Sequence, residues 1–259
     1  MLKRRQLIEI SDQPWCPRSI RDGITDYLQF VIRAGKVYAP ILPELDSALR
    51  ITHPRQIIDL CSGGGGPWGA LQRALAADGV DIPILLTDIH PNSVAFQRRE
   101  AESSGRIRGI RQSVDVTTLP PNLPGFRTMF SAFHHFRPHE AREILREAVR
   151  RKEGIAIFEA TRRSAQAIIA TALAPALLLL CTPLIRPFRL SRLFWTYVVP
   201  AIPMIVFIDG VISCLRTYSP TELCRMASEL KVPGYVWRAG ERKNWRWGLP
   251  ITYLIGRPA

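Results

Sequence analysis

The chain has 259 residues, of which 47% are hydrophobic and 22% charged, a composition that can bury a full core and excludes global disorder. Its net charge of +13 favours anionic partners: nucleic acid, an anionic membrane leaflet or acidic substrates. Five cysteines, an odd number without C-x-x-C spacing, exclude a disulfide scaffold and a zinc ribbon and suit a reducing compartment.

The opening stretch MLKRRQLIEISDQPW is basic but has no apolar h-region, so no secretory signal is read and a cytoplasmic location is expected. Residues 1–54 are expected to form a helical cap, with Ile20, Ile24, Tyr27, Leu28, Val31 and Ile32 at helical spacing. From Arg55 the pattern becomes alternating strands and helices. Strands are expected at 56–60, 82–87, 109–114, 128–133 and 154–159, with helices at 69–77, 93–103 and 139–151. Short apolar strands alternating with amphipathic helices imply a parallel sheet covered on both faces, here in an α/β core spanning 55–163.

That regularity breaks at residues 164–216, two apolar blocks separated by an arginine-bearing link. Each block approaches the ~20 residues needed to cross a bilayer, yet Pro175, Pro183, Pro200 and Pro203 interrupt them and Asp209 lies in the second. Arg162 and Arg163 precede the first block and Arg186, Arg189 and Arg192 follow it, so one crossing would leave arginines on both sides. A kinked helical hairpin lying in one leaflet fits better, with arginines at anionic headgroups and Trp195 and Tyr197 near the interface. A transmembrane hairpin and an apolar lid over a greasy substrate are the alternatives, and each implies a lipophilic acceptor.

Residues 217–259 return to ordinary amphipathic sequence. Ser219, Pro220 and Glu222 form a helix start with a capping box, and strands at 235–239 and 251–256 are expected to close the sheet as an antiparallel hairpin. Between them lies an aromatic-interleaved basic cluster, Arg238, Arg242, Lys243, Trp245, Arg246 and Trp247. It could grip a phosphate strand, but a base-binding groove has no use for the apolar insertion, and nucleic acid is not expected.

The strongest local signal is IIDLCSGGGGPWGALQRAL, a strand, a glycine turn and a helix. Such a turn presents backbone N–H groups to a ligand. Gly64, Gly66 and Gly69 satisfy G-x-G-x-x-G, which would fit a nicotinamide enzyme equally well, and Pro67 suits a helix start. Asp59, Asp88 and Asp115 fall at the expected ends of three successive strands. Three carboxylates there suit a ligand with a cationic centre and would repel a pyrophosphate.

At these residues the chain resembles the class I S-adenosylmethionine-dependent methyltransferases, over roughly 55–160 and 217–257. Their first motif is matched by Asp59-Leu60-Cys61-Ser62-Gly63-Gly64-Gly65. The resemblance implies a Rossmann-like, seven-stranded, mostly parallel sheet ending in an antiparallel hairpin, and S-adenosylmethionine as cofactor. It places Asp59 near the methionine portion, Gly63 and Gly65 where the cofactor comes close, Asp88 on the ribose, and Asp115 with Val116 around the adenine. Cys61, Gly64, Ile89 and Ser131 complete the expected cofactor-binding set. Cys61 stands where the family has glycine and is expected to be a small packing residue, not a nucleophile.

After the fourth strand, SAFHHFRPHEA places His134 and His135 where the family faces the methyl donor. A histidine with a pKa near 6.5 suits general base work, though one of two neighbours must point away. His139 is expected in the next helix, and Glu159 at the end of the fifth strand as an orienter or base. No metal-ligand set is expected. Trp15, Tyr27 and Tyr38 could stack on the cofactor or simply pack the cap on the sheet. The expected function is methyl transfer to a lipophilic small molecule or lipid at a membrane surface; the alternative is a catalytically silent binding protein on the same fold.

Overall fold

The computed structural model describes residues 2–244, 248 and 250–259. Seven strands form one sheet in the order β3-β2-β1-β4-β5-β7-β6: β1 (Ile57–Leu60), β2 (Ile84–Leu86), β3 (Ile107–Gly109), β4 (Phe126–Phe130), β5 (Ile155–Glu159), β6 (Tyr235–Lys243) and β7 (Pro250–Pro258). The first five pair in parallel. β7 runs antiparallel to β5 and β6. This is the expected sheet with its terminal hairpin.

Among the described residues, ten α-helices connect and cover it: α1 (Arg18–Ala34), α2 (Leu42–Thr52), α3 (Trp68–Ala77), α4 (Ser93–Glu102), α5 (Pro138–Arg151), α6 (Ala165–Ala172), α7 (Ala174–Cys181), α8 (Leu190–Leu193), α9 (Ala201–Arg216) and α10 (Pro220–Glu229). α5 buries Ala141, Ile144, Leu145 and Ala148, an i, i+3, i+4, i+7 stripe. His139 lies in its first turn. α10 starts on the Ser219–Glu222 capping box.

β2 is shorter and β6 longer than expected, and two strands are displaced along the chain. β3 ends at Gly109, six residues before Asp115, and the polar run after it is loop. β4 begins at Phe126 and stops at Phe130, because Ser131 takes φ 45° and a short 3-10 turn follows over Phe133–His135. Arg127 hid the strand's start: a charged residue reads as loop, yet here it is buried and its guanidinium meets Glu153 at 2.8 Å.

One apolar cluster, around Ile57, Trp68, Leu86 and Phe158, lies on one side of the sheet. A second, around Ile58, Met129, Leu145 and Leu254, lies on the other. A third contains no strand residue: Ile20, Ile24 and Tyr27 of α1 meet Leu178, Ile185, Ile202 and Val206. The N-terminal helix is thus the floor on which the insertion packs. Tyr27 donates its hydroxyl to Ala174 O at 3.1 Å and Tyr38 is buried, so both pack the cap, while Trp15 is exposed.

The insertion leaves much apolar surface uncovered. Residues Ala165–Leu184 form a helical stretch of 20 residues, long and apolar enough to cross a membrane, with 17% of its most apolar window buried. Leu190–Val198 and Ala201–Arg216 are bent by 79° at the break between them. Ile169, Leu173, Leu180, Leu184, Phe188, Leu190, Val198 and Met204 are all exposed, Leu180 at 76%. Asp209, which looked misplaced among apolar residues, accepts the backbone N–H groups of Ile10 (2.7 Å) and Ser11 (2.9 Å).

Candidate functional site

The glycine turn is assembled from the C-terminal edge of β1. Asp59 is buried, and its Oδ1 accepts from the Thr128 hydroxyl at 2.7 Å. Ser62 Oγ donates to Asp59 O at 2.8 Å and Ser62 N donates to Thr87 O at 2.9 Å, which clamps the turn to the end of β2. Cys61 takes φ 56°, a left-handed conformation that favours glycine. A cysteine there carries the strain a glycine would avoid. Burial pushes its thiol well above the usual range, reinforced by Asp88, Asp59, Asp12 and Asp115; this is a packing thiol, not an activated nucleophile.

The three expected ligand glycines do different jobs. A side chain at Gly63 would meet nothing within 4 Å, so this face of the turn is open. At Gly64 it would stand 2.8 Å from Thr25 and Gln29 of α1, which lies against the turn. At Gly65, whose φ is 96°, it would be 3.0 Å from Arg99, so that arginine packs against the turn here.

Asp88, half-buried, accepts Gly63 N on Oδ2 and His90 N on Oδ1, each at 2.7 Å. Ile89 beside it is exposed. Although β3 stops early, Val114 N donates to Asp88 O at 2.9 Å and Ser113 Oγ to Ile89 O at 2.8 Å. The loop carrying Asp115 and Val116 is thereby held beside Asp88 by loop hydrogen bonds. Asp115 caps the following 3-10 turn through Thr117, and Val116 is buried. Ser131 does not face this rim alone: its hydroxyl bonds Tyr38 Oη at 2.6 Å and accepts Ala160 N at 3.0 Å, tying β4 to β5 and the cap.

The second half of the site is the corner where the turn after β4 meets the end of β5. His134 Nδ1 donates to Glu159 Oε2 at 2.7 Å, and its backbone N–H reaches Glu159 Oε1 at 3.2 Å. Glu159 is fully buried and so takes the orienter's place. Across the ring, His134 Nε2 lies 3.7 Å from Glu9 Oε1. Burial alone would lower the imidazole pKa, but Glu159, by charge and hydrogen bond, and Glu9 raise it to about 9. The raised pKa favours the protonated ring, which carries no free nitrogen lone pair. His135 is partly exposed and bonds Asp12 Oδ2 at 2.8 Å.

The N-terminal segment closes this corner as a strap, and sequence reasoning missed it. Burial would raise Glu9, but the adjacent His134, His135 and Arg216 cations bring it down to about 2. Ser213 Oγ donates to Glu9 Oε1 at 2.9 Å and Arg216 reaches it at 3.3 Å. Arg4 Nε donates to Arg216 O at 2.6 Å and its guanidinium lies 4.0 Å over the Tyr218 ring. Arg216 in turn donates to His134 O and His135 O. Glu9 and Asp12, the acids of a basic opening segment, were the available signal; nothing local named their partners. Glu9, His134 and His135 bring three possible ligand atoms within 4.8 Å, but the Arg216 guanidinium and the His134 imidazolium already supply the positive charge there.

Elsewhere, Arg238 Nη1 reaches Glu44 at 3.1 Å and Arg242 pairs with the same carboxylate. The basic cluster is therefore partly neutralised by α2; its Trp245, Arg246 and Trp247 lie outside the described residues.

No family profile matches the sequence, and a comparison with curated proteins finds no match. Solved structures do match. The plantazolicin methyltransferase BpumL, in complex with a monoazolic desmethylPZN analog and SAH, covers 95% of this chain and 91% of its own, at 9% identity and a TM-score of 0.57. BpumL in complex with SAH covers 96% and 92%, at 10% identity and 0.54. The citrinin polyketide synthase CMeT domain covers 93% of this chain and 57% of its own, at 12% identity and 0.53. At such identities the likeness shows the fold, and the fold is that of the class I methyltransferases.

Proposed function

We infer that this chain, with its class I methyltransferase fold, binds S-adenosylmethionine and transfers its methyl group to a lipophilic acceptor. The observation that carries the reading is the turn after Asp59, where Asp88 accepts Gly63 N and the Asp115 loop is held on Asp88 O, with Gly63 open to free space beside them. Carboxylates on an open glycine turn fit a ligand bearing a sulfonium, an ammonium and ribose hydroxyls. When bound, that cofactor supplies an electrophilic methyl group. The residues supply position: Asp88 has carboxylate lone pairs left for the ribose hydroxyls, and Ile89 and Val116 offer apolar contact to a base. In-line displacement needs alignment and exclusion of water more than acid–base groups, which fits an imidazolium at His134 acting as a fixed donor.

The acceptor's character is inferred from the insertion, whose exposed apolar side chains stand beside Arg186 and Arg189. Greasy surface next to cations fits the face of an anionic membrane, entered from one side without crossing. The closed His134 corner favours a second reading, a binding protein without turnover. Calorimetry with S-adenosylmethionine and its demethylated product tests the cofactor: micromolar binding is expected, and no heat from either would remove the enzyme reading and leave the silent binding protein. Sedimentation with anionic vesicles tests the membrane face, where Leu180→Glu with Phe188→Glu should leave the protein in the supernatant.

A further inference from the structure

A cavity of about 110 Å³ opens behind the glycine turn, between α1, α4 and the loop joining the insertion's two blocks. A single water needs only about 10–15 Å³ of such space, so the cavity has room for a polyatomic group. Arg33, Arg98, Arg99, Arg186 and Arg189 line it, with Asp26 the acid among them.

The acids nearby do not balance these cations. Arg98 and Arg99 share Glu102, at 3.3 and 3.0 Å. Arg189 and Arg192 share Asp26, at 3.1 and 2.6 Å, and Arg189 also reaches Asp22 at 3.7 Å. Arg33 and Arg186 have no ion-pair partner among the described residues. Arg99 is only 5% exposed, and its buried Nε has no hydrogen-bond partner. A cavity lined by five guanidinium groups and a single carboxylate suits an anion with several oxygens.

The rim is also fixed in place. Arg98 Nη1 donates to Arg186 O at 3.1 Å, while Arg192 Nη2 donates to Ile185 O at 2.8 Å and Pro187 O at 2.9 Å. The loop so held carries Leu184, Phe188 and Leu190, all exposed. Cationic cavity and apolar surface are therefore parts of one loop.

We propose that this arginine cavity is a binding site for the phosphate headgroup of an anionic glycerophospholipid, whose acyl chains lie along Leu184, Phe188 and Leu190. It deepens the membrane-facing reading of the insertion and rests on it. Arg99, which packs against Gly65 and Gly69, places the headgroup directly behind the candidate cofactor turn.

The test uses the full chain and short-chain phosphatidic acid below its micellar concentration, followed by calorimetry. Binding at one site is expected, with short-chain phosphatidylcholine much weaker. Arg33→Gln with Arg186→Gln should weaken it about 30-fold, from roughly fivefold per arginine, at an unchanged melting temperature. Inorganic phosphate should bind more weakly than the lipid; equal affinity would make the ligand a soluble phosphate and overturn the lipid assignment. An unaltered affinity in the double variant, or no binding by the parent, would overturn the site. Vesicles of phosphatidylcholine with phosphatidic acid separate the two readings. Pelleting without single-site binding leaves the membrane face standing and removes the headgroup site, whereas no pelleting removes the membrane face itself.

Discussion

The two halves of the candidate site are built on opposite principles. The glycine rim is backbone: one turn, with carboxylates that lean on N–H groups and keep lone pairs free. The histidine corner is charge: His134, Glu159, Glu9 and Arg216 are all buried and each is held by the others. A rim of the first kind can exchange a ligand without disturbing the fold. A corner of the second kind is part of the fold's stability, and any acceptor reaching it must displace the strap that carries Glu9.

The largest effect should come from breaking the corner. Glu159→Gln leaves the His134 imidazolium without its closest counter-charge, and removing one partner of a buried pair costs about 3–5 kcal/mol. Chemical denaturation should show a loss of that order; a loss below about 1 kcal/mol would mean that the corner is not a structural pair. Asp88→Ala should do the reverse. It should lower affinity for S-adenosylmethionine about 100-fold, since two hydroxyl contacts to a charged group are lost, while costing about 1 kcal/mol of stability.

The pH dependence should separate the halves by sign. Burial raises Asp59 to about 6, so the fold prefers it protonated: stability declines as pH rises from about 4 through 6. Over the same window a cationic ligand should bind more tightly, roughly tenfold, as Asp59 ionises. His134 is raised from 6.5 to about 9, so its contribution is complete below 6.5 and disappears as pH climbs through 9. Melting temperatures across that upper window should fall in the parent and stay flatter in His134→Gln. Glu9→Gln is a gentler probe of the same corner: removing one raising carboxylate should move the His134 imidazole titration, followed by NMR, to lower pH.

The smallest effect is expected at Cys61. Cys61→Gly relieves a left-handed conformation worth about 1–2 kcal/mol but adds the chain entropy of glycine, about 0.5–1 kcal/mol. Stability should change by less than about 1 kcal/mol and cofactor affinity hardly at all. A large loss of turnover would instead give the thiol a chemical role.

Legibility followed the range of the interactions. The glycine turn, Asp59 and Asp88 could be read because a strand, a turn and a helix are consecutive in the chain. Asp115 was expected at a strand end, but the strand stops at Gly109, and Val114 and Ser113 hold its loop beside Asp88 and Ile89 by hydrogen bonds. Arg127 concealed the start of β4 because its partner Glu153 lies outside any local window. Asp209 looked like an interruption of an apolar block until the strap supplied Ile10 and Ser11 as donors.

The sequence by itself determined the layered sheet, its closing hairpin, the apolar insertion and the acidic glycine rim, since periodicity and neighbouring residues encode all of these. Only the tertiary structure decided that the first residues close the histidine corner, that His134 is held as a cation, and that five arginines from three segments line one cavity. Those features depend on burial and on charges brought together from remote parts of the chain, and a local sequence pattern carries neither.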